Sequence, residues 1–363
     1  MNRTLRISLV AAGVTAGALV GSASALGAAT ASGASFPSLA LTDWCGTSKI
    51  CSYTSKGSSG GIRDFTAGVV DFAASDAPLT PEQVAALASQ RGGVKPLYFP
   101  MLLGAISVPV NVEGVNKRVR LLGKTVGDIY AGSITNWNDP RIRADNKGVR
   151  FPDAPITVCV RSDGSGTSFG FSNYLQKVSP DFRSKVGSGS QTPAWKAPVI
   201  VRGPQNVGVA KCVNDNRNSI GYVDLGDAVR AGLSANIAAV GKRETFKVRR
   251  NGKTRTVRRI AYVVPSIRSI SQSGNVKTLK ADLTHDFSNS SAPGAYPITI
   301  TSWLLAYSNY TRAGKSSSYA DTRRFISYMY TPAAQQRVIP LGFAPLPKAV
   351  LDAGNRQLAK MGR

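Results

Sequence analysis

The sequence predicts an α/β fold, because short strand-like stretches alternate with helical ones along most of its 363 residues. A hydrophobic content of 42%, with 36 Gly and 20 Pro, is typical of a globular chain with many turns. Strand patterns at 69–74, 156–160 and 219–223 each stand beside helix signals. Two long extended apolar segments, 98–112 and 295–307, are expected to cross between two parts of the molecule.

Capping and turn residues predict where several elements begin and end. Thr80, followed three residues later by Gln83, is a capping box and begins a helix. Asn251-Gly252 lies between two strand-like runs and predicts a two-residue β-hairpin. A short helix is expected over 38–44, and a loop between two cysteines is expected to follow it.

The N-terminus has the pattern of an export signal. Two arginines precede the apolar stretch 7–20, and cleavage after Ala25 is preferred, with Ala29 and Ala31 as alternatives. Residues 1–25 are therefore predicted to be a signal peptide, although an uncleaved membrane anchor is the competing interpretation. We find no lipid-attachment cysteine and no later segment long enough to span a membrane. The mature chain is expected to be exported, and to be periplasmic, extracellular or associated with the cell envelope.

Four cysteines suit an oxidising destination, and they allow three pairings. The short gap between Cys45 and Cys51 favours a local disulfide, which leaves Cys159 to pair with Cys212. Zinc binding is the alternative, but His285 is the only histidine and the sequence has no C-x-x-C pair. We therefore expect no metal and no other cofactor.

The charge balance favours anionic partners. Lys and Arg outnumber Asp and Glu by 45 to 20, a net charge of +25. The segment 242–259 holds nine basic residues and one acid, Glu244, and the alternation of a hairpin would put many of these charges on each face. The segment is either a solvated protrusion or a site for anionic polymers of the cell envelope. Nucleic acid is disfavoured because no aromatic residues are interleaved with the charges.

Three short stretches together indicate an anion site: the turn 34–37, the glycine-rich loop 56–61 and the Gly/Ser/Thr loop 163–168 before a predicted helix. A helix N-terminus offers free N–H groups and the positive end of a dipole, and glycine lets an anion approach the backbone. Arg161 adds a cation suited to oxyanions. Each stretch alone is more often an ordinary turn.

The residues of these stretches, and the order of the stretches along the chain, resemble those of a known family. The chain is similar to the phosphate-binding proteins of bacterial high-affinity phosphate ABC importers, which are type II periplasmic-type solute-binding proteins. The matching phrases are GASFP (33–37), GSSGGI (57–62), VDFAASDAPLT (70–80), GKTVGDIYAGSITNWNDPRI (123–142), RSDGSGTSFGFSNYL (161–175), SIGYVD (219–224) and YPITITSWLL (296–305).

The resemblance implies a two-lobed α/β architecture, the type II periplasmic-binding-protein fold. Each lobe would be a mixed sheet flanked by helices, with the ligand in the cleft between hinged lobes. Lobe 1 would combine 26–101 with 301–363, and lobe 2 would be 102–300, carrying a basic hairpin at 242–260. The implied function is a secreted receptor that binds inorganic phosphate and delivers it to the membrane permease of an ABC importer.

The resemblance also implies a set of phosphate-binding residues. Position by position they are Ser35, Phe36, Ser58, Asp76, Arg161, Asp163, Ser165, Gly166 and Thr167. Ser35 stands where the family usually has threonine, and Asp163 is expected to orient Arg161. Asp76 would accept the proton that phosphate still carries near neutral pH, whereas fully ionised sulfate would leave it unpaired. An unpaired buried acceptor costs roughly 1–3 kcal/mol, enough for discrimination.

Other functions are less well supported by the sequence. A serine nucleophile usually needs a base, and His285 has no motif around it. A two-metal phosphatase needs a cluster of His and acidic ligands, which the sequence lacks. The chain is therefore predicted not to be an enzyme. A receptor for another oxyanion or a phosphate ester, and a surface protein that attaches to anionic polymers through the hairpin, are the alternatives.

Overall fold

The structure, a computed structural model, describes residues 28–276 and 278–363, so the predicted signal peptide lies outside the described residues. The strands are β1 (Ala29–Gly33), β2 (Cys51–Ser55), β3 (Phe72–Ser75), β4 (Pro96–Ser107), β5 (Val110–Asn111), β6 (Arg120–Leu122), β7 (Thr157–Arg161), β8 (Ile200–Gly203), β9 (Ser219–Ile220), β10 (Val223–Asp224), β11 (Ala239–Arg250), β12 (Lys253–Val263) and β13 (Thr299–Tyr307). The helices are α1 (Ser38–Ser48), α2 (Ser58–Thr66), α3 (Pro81–Gln90), α4 (Gly123–Tyr130), α5 (Pro140–Asp145), α6 (Gly166–Val178), α7 (Pro180–Lys185), α8 (Gln205–Asp215), α9 (Leu225–Arg230), α10 (Ile267–Ser273), α11 (Tyr319–Met329), α12 (Pro332–Arg337) and α13 (Lys348–Gln357). The predicted α/β class is confirmed.

The larger sheet has six strands in the order β10-β4-β13-β3-β1-β2. β1 pairs in parallel with both β2 and β3, whereas β13 runs antiparallel to β3 and β4. Nearly every residue of β4 and every residue of β13 is buried, which explains why both segments are apolar without alternation. Because β1 lies between β2 and β3, the chain reverses its direction of travel across the sheet there. Such a switch point opens a crevice at the carboxyl ends of the strands.

The second sheet repeats this arrangement with four strands in the order β5-β9-β7-β8. β7 pairs in parallel with β8 on one side and with β9 on the other, so its carboxyl end is a second switch point. A third sheet, β12-β11-β6, joins the hairpin to the body through the first residues of β11.

The chain crosses between the two larger sheets at two short segments, from β4 to β5 and from β9 to β10. The prediction of one continuous strand over 219–223 was therefore wrong. Gly221 N donates to Pro109 O at 2.9 Å, and the Tyr222 ring stacks on Phe171 with centroids 4.6 Å apart. These contacts redirect the chain between the strands.

The helix after β1 is longer than predicted. α1 continues to Ser48 and includes Cys45, because the buried Trp44 anchors it by donating from Nε1 to Ala334 O at 2.8 Å. Lys49, in the left-handed region, then ends the helix. The Cys45–Cys51 disulfide thus joins the end of a helix to the start of β2 and does not close a separate loop.

Other local predictions are confirmed. Thr80 and Gln83 form the reciprocal capping box of α3. The hairpin turn is Asn251-Gly252, both with positive φ as a type I′ turn requires. The second predicted disulfide, Cys159–Cys212, ties β7 to α8. Over residues 28–276 and 278–363, the structure has no helix whose length and apolar character suffice to cross a membrane.

Candidate functional site

The residues predicted to bind an anion lie at the carboxyl ends of strands from both larger sheets. Ser35 and Phe36 follow β1, and Ser58 and Asp76 lie beyond the ends of β2 and β3. From the other sheet, Arg161 is the last residue of β7, and the loop after it leads into α6. Both switch points therefore contribute to one region.

Ser58 joins the two sides of this region. It is fully buried at the first position of α2, and its Oγ accepts hydrogen bonds from Asp76 N at 3.2 Å and Gly166 N at 3.1 Å. A serine hydroxyl has two lone pairs and one proton, so both acceptor positions are occupied. The remaining proton is the group that Ser58 can offer to a ligand.

Gly166 lies at a point where the backbone of one side closely approaches the other. A Cβ at this position would lie 2.4 Å from Ser58 Oγ and 2.7 Å from Asp76 Oδ2. Any side chain would therefore push the two switch points apart. Gly166, predicted to bind the anion, donates its N–H to Ser58 Oγ here, and the geometry requires a residue without a side chain.

Asp76 is a buried carboxyl with one unpaired oxygen. Ser302 Oγ donates to Oδ1, and Oδ2 has no hydrogen-bond partner among the described residues. Burial raises the pKa of Asp76 to about 7, although the Ser302 hydrogen bond and the charge of Arg161 both lower it. The group can therefore accept or donate a proton near neutral pH.

Arg161 is the cation of the site, and its side chain is almost completely buried. Its Nε donates to Asp163 Oδ1 at 2.8 Å and its Nη2 forms an ion pair with Asp163 Oδ2. Its Nη1 approaches Asn206 Oδ1 at 3.3 Å and Thr167 Oγ1 at 3.5 Å. Burial opposes ionisation of Asp163, but the hydrogen bonds and charge of Arg161 hold the pKa of that carboxyl below its usual value. Asp163 thus fixes the orientation of the guanidinium.

The start of α6 holds Ser165 and Thr167, which are also predicted to bind the anion. Ser165 is the N-cap, its Oγ accepting from Ser168 N at 3.1 Å, while its own N–H donates to Gln191 O at 3.0 Å. Capping therefore occupies one acceptor position of the Ser165 hydroxyl and leaves its proton available to donate to a ligand. Thr167 lies one position into the helix and is fully buried beside Arg161.

The turn after β1 contributes a hydroxyl and a backbone. Ser35 Oγ is buried and has no hydrogen-bond partner among the described residues. The Phe36 ring is buried against Phe343, with centroids 5.6 Å apart, so its backbone amide is the group left to serve as a donor.

Sequence reasoning missed two polar residues of the site. Asn206, near the start of α8, accepts from Arg161 through Oδ1, while its Nδ2 is buried without a partner among the described residues. The sequence signal that could have indicated Asn206 is a helix that begins directly after a strand, as α6 does. Ser302 lies inside a phrase that matched the family, but only the contact with Asp76 reveals its role.

Further hydrogen bonds close the region from the side of α2. Ser59 N donates to Gly164 O at 3.1 Å, and Ser59 Oγ donates to Gln191 Oε1 at 2.7 Å. Gln205 Nε2 donates to Ser55 O at 3.2 Å. These bonds join loops that follow β2 to loops of the four-stranded sheet.

Buried polar groups with unused hydrogen-bonding capacity converge here: Ser35 Oγ, Asp76 Oδ2, Asn206 Nδ2 and the proton of Ser58. Buried polar atoms in folded proteins are nearly always paired, so such a set requires an explanation. A small ligand carrying both acceptors and a proton would pair all of them.

Comparisons with known proteins agree with this arrangement. Residues 20–333 match a family model described as the PBP superfamily domain. The phosphate-binding protein PstS of Xylella fastidiosa is 32% identical over 321 residues, which cover 87% of this chain and 80% of that protein. The PstS of Pasteurella multocida is 39% identical over 201 residues, which cover 54% and 56% of the two chains.

A solved structure gives the fold independently. The ancestral soluble variant of the human phosphate-binding protein superposes with a TM-score of 0.70 at 19% identity, over 93% of this chain and 99% of that one. At that identity the likeness concerns the fold alone. The predicted two-lobed class is confirmed by it.

Proposed function

Because the chain belongs to the PBP superfamily and, within it, to the phosphate-binding proteins, we propose that it is a receptor for inorganic phosphate. The observation that carries this proposal is the convergence of buried, unsatisfied donors and one acidic acceptor on a single buried arginine. Inorganic phosphate has several oxygen acceptors and, near neutral pH, at least one proton. It can therefore pair with every one of these groups.

The proposed ligand contacts use one charge and several neutral donors. Arg161 supplies the cation, and the hydroxyls of Ser35, Ser58 and Thr167 supply neutral donors at strand and helix ends. The unpaired Nδ2 amide of Asn206 adds a donor that the sequence did not suggest. Ser165 contributes its hydroxyl, and Asp163 contributes indirectly by holding Arg161.

Asp76 gives the site its selectivity for a protonated oxyanion. When ionised, Oδ2 accepts the hydrogen bond of a P–O–H group, which sulfate cannot offer. Ionised Asp76 and sulfate would instead place two negatively charged groups side by side in a buried site, with no proton between them. This would cost roughly 1–3 kcal/mol or more. We propose that phosphate is distinguished from sulfate on this basis.

We further propose that the protein closes as two lobes, 26–101 with 301–363 and 102–300. Support comes from the two sheets, whose switch points face a common region, and from the short crossings at 107–110 and 220–223. These crossings favour a boundary a few residues beyond 102. β10 and α9 extend or contact the six-stranded sheet, which favours moving them to the first lobe.

The proposed place of action is outside the cytoplasm, where the receptor would deliver phosphate to the membrane permease of an ABC importer. The N-terminal export pattern and the relatives named PstS support this proposal. We propose that the chain is a binding protein without catalysis. Turnover of a chromogenic phosphate ester by the purified protein would contradict that.

The exposed basic hairpin favours a second function, attachment to anionic polymers. The hairpin of β11 and β12 projects basic side chains into solvent, and it contacts the body mainly through its base. We propose that it attaches the receptor to anionic polymers of the cell envelope. Release of the protein from cell envelopes by high salt is the expected result, because exposed charge pairs are screened. Retention that salt does not change would contradict the attachment.

The receptor proposal is tested by calorimetry on phosphate-free protein at pH 8. We expect one-to-one binding of phosphate that excess sulfate does not reduce. In Asp76→Asn, which keeps the shape but adds an amide donor, sulfate should become a competitor. Folded protein that does not bind phosphate would contradict the proposal.

A further inference from the structure

The basic hairpin has two faces of different chemistry, because directly paired residues of an antiparallel ladder lie on the same face. One face, called here the threonine face, contains the pairs Arg243–Ile260, Thr245–Arg258, Lys247–Thr256 and Arg249–Thr254. The other, called the valine face, contains Glu244–Arg259, Val248–Arg255 and Arg250–Lys253. Each face carries four exposed cations, and the valine face also has the buried Lys242, so charge alone does not distinguish the two faces.

The valine face ends at its base against the loop 290–294, beside a depression of about 400 Å³ that contains Glu244. Lys242 Nζ is buried and donates to Ser290 O at 3.0 Å, while Gly294 N donates to Glu244 Oε1 at 2.7 Å. Arg259 also pairs with Glu244, at 3.1 Å. A chain-like ligand lying along this face would meet the loop 290–294 and the only acidic residue between 228 and 281.

The threonine face instead continues into an open groove. Tyr262 and Ala239, on the same face, line a cavity of about 700 Å³ at the base of the hairpin. Exposed cations surround it: Lys117, Arg118, Arg120 and Lys147. A second depression of about 570 Å³ lies between the groove and the tip, lined in part by Arg243, Arg258 and Ile260.

The one carboxylate of the groove is directed into the protein. Asp145 accepts from Tyr262 Oη at 2.9 Å through Oδ1, and from Leu122 N and Thr125 Oγ1 through Oδ2. These bonds occupy the carboxylate, so the surface that a ligand meets is cationic.

The dimensions and chemistry of this surface suit a linear polyanion. The eleven paired residues of each strand span about 35 Å at ~3.3 Å per residue. Eight cations follow that line into the groove, and Thr245, Thr254 and Thr256 add hydroxyl donors of the kind that contact phosphate oxygens. Nucleobases would need exposed rings for stacking. On this face, as far as the structure describes it, the aromatic ring is that of Tyr262, which the Arg120 guanidinium covers at 5.7 Å.

We propose that the threonine face and the groove form one continuous track for a phosphodiester-linked envelope polymer without nucleobases, such as a poly(glycerol phosphate) chain. This inference rests on the proposed attachment to anionic polymers and assigns it a face, a direction and a ligand class. The phosphate site is separate from the track.

The test compares two variants of equal charge and equal composition. The first replaces Lys247, Arg249 and Arg258 with Gln on the threonine face, and the second replaces Lys253, Arg250 and Arg255 with Gln on the valine face. With poly(glycerol phosphate) at about 0.1 M salt, we expect the first variant to lose on the order of 100-fold in affinity. The slope of log affinity against log salt should fall by about 2, since three phosphate contacts are lost at roughly 0.7 each.

The valine-face variant should lose less than about fivefold, the effect of net charge without contact. Lys117→Gln with Lys147→Gln should also weaken binding, because the groove is part of the track. Equal losses in the two triple variants would overturn the track while leaving attachment intact. Absence of polymer binding by the unchanged protein would overturn the attachment itself, and a phosphate titration of the same sample would show whether the receptor function stands independently.

Two further comparisons decide the ligand class. Tighter binding to vesicles of phosphatidylcholine and phosphatidylglycerol than to the polymer would overturn the proposal in favour of a membrane surface. Tighter binding to duplex DNA would overturn it in favour of nucleic acid. Preference for the polymer over both supports the track.

Discussion

The proposed phosphate pocket and the basic hairpin would bind anions in opposite ways. The pocket uses one buried guanidinium, Arg161, whose orientation is fixed by Asp163, and it includes a carboxyl, Asp76, beside the proposed anion position. The hairpin has eight exposed cations, four on each face, together with the buried Lys242 and one acid near its base.

The difference lies in what burial does to a charge. In a buried site each donor has a fixed position and an unpaired group is costly, so geometry and protonation decide which anion binds. On an exposed hairpin, solvent screens each pair and the side chains can rearrange, so the number and alignment of charges decide. The pocket is thus suited to selecting one small ion, and the hairpin to holding a long chain.

The largest expected effect is the loss of the buried cation. Arg161→Ala should weaken phosphate binding by about 2–5 kcal/mol, because it removes the cation of the proposed site and leaves Asp163 without the Arg161 guanidinium. Calorimetry would measure this, with Arg161→Lys as the control that keeps the charge but loses the fork. Polymer binding by the hairpin should be unchanged in both. Phosphate affinity within threefold of the unchanged protein would contradict the site.

The second expected effect concerns a disulfide that stabilises the pocket but not the hairpin. The Cys159–Cys212 disulfide ties the strand that ends in Arg161 to the helix that carries Asn206. Replacing both cysteines with Ala should lower the free energy of unfolding by about 4 kcal/mol, as the separation is 53 residues.

The matched control is the replacement of both Cys45 and Cys51 with Ala. Because these cysteines are only six residues apart, the free energy of unfolding should fall by about 2 kcal/mol. Urea unfolding would measure both. The Cys159–Cys212 variant should also bind phosphate more weakly, while its hairpin keeps its polymer affinity. A larger loss of stability in the Cys45–Cys51 variant would contradict the chain-entropy argument.

The third effect concerns protonation of the pocket. The pKa of Asp76 is raised to about 7 by burial, so below that pH the group is protonated and can donate to sulfate. Sulfate affinity should therefore rise as pH falls from 8 to 5.5, by roughly tenfold or more. Asp76→Asn donates at every pH, so its sulfate affinity should be higher and independent of pH. A sulfate affinity of the unchanged protein that does not vary with pH would contradict this assignment.

The fold could be predicted, and a candidate site proposed, because many of their features are set by local sequence. Strand ends, a capping box, the Asn251-Gly252 turn and the Gly/Ser/Thr loop before α6 are all short-range signals. Their order along the chain then indicated the family. Both disulfides followed from spacing and elimination.

What the sequence could not predict depends on contacts between distant segments. Ser302 carries no local signal, and the helix start that Asn206 shares with α6 does not separate it from neighbouring polar residues. Only the packing of β13 and α8 brings these two side chains to Asp76 and Arg161. α1 extends beyond its predicted end because Trp44 is anchored to Ala334, 290 residues away. The base of the valine face likewise depends on a loop near 292.

The smallest expected effect is on the pocket when the hairpin is disturbed. Raising NaCl from about 0.05 to 0.5 M should change phosphate affinity by less than about threefold, because buried pairs are screened much less than exposed ones. Replacement of Lys247, Arg249 and Arg258 with Gln should change it by less than twofold. Calorimetry in both conditions would measure this, with polymer binding followed in the same samples. A phosphate affinity that falls in parallel with polymer binding would mean that the hairpin charges act on the pocket, and the separation between the two regions would fail.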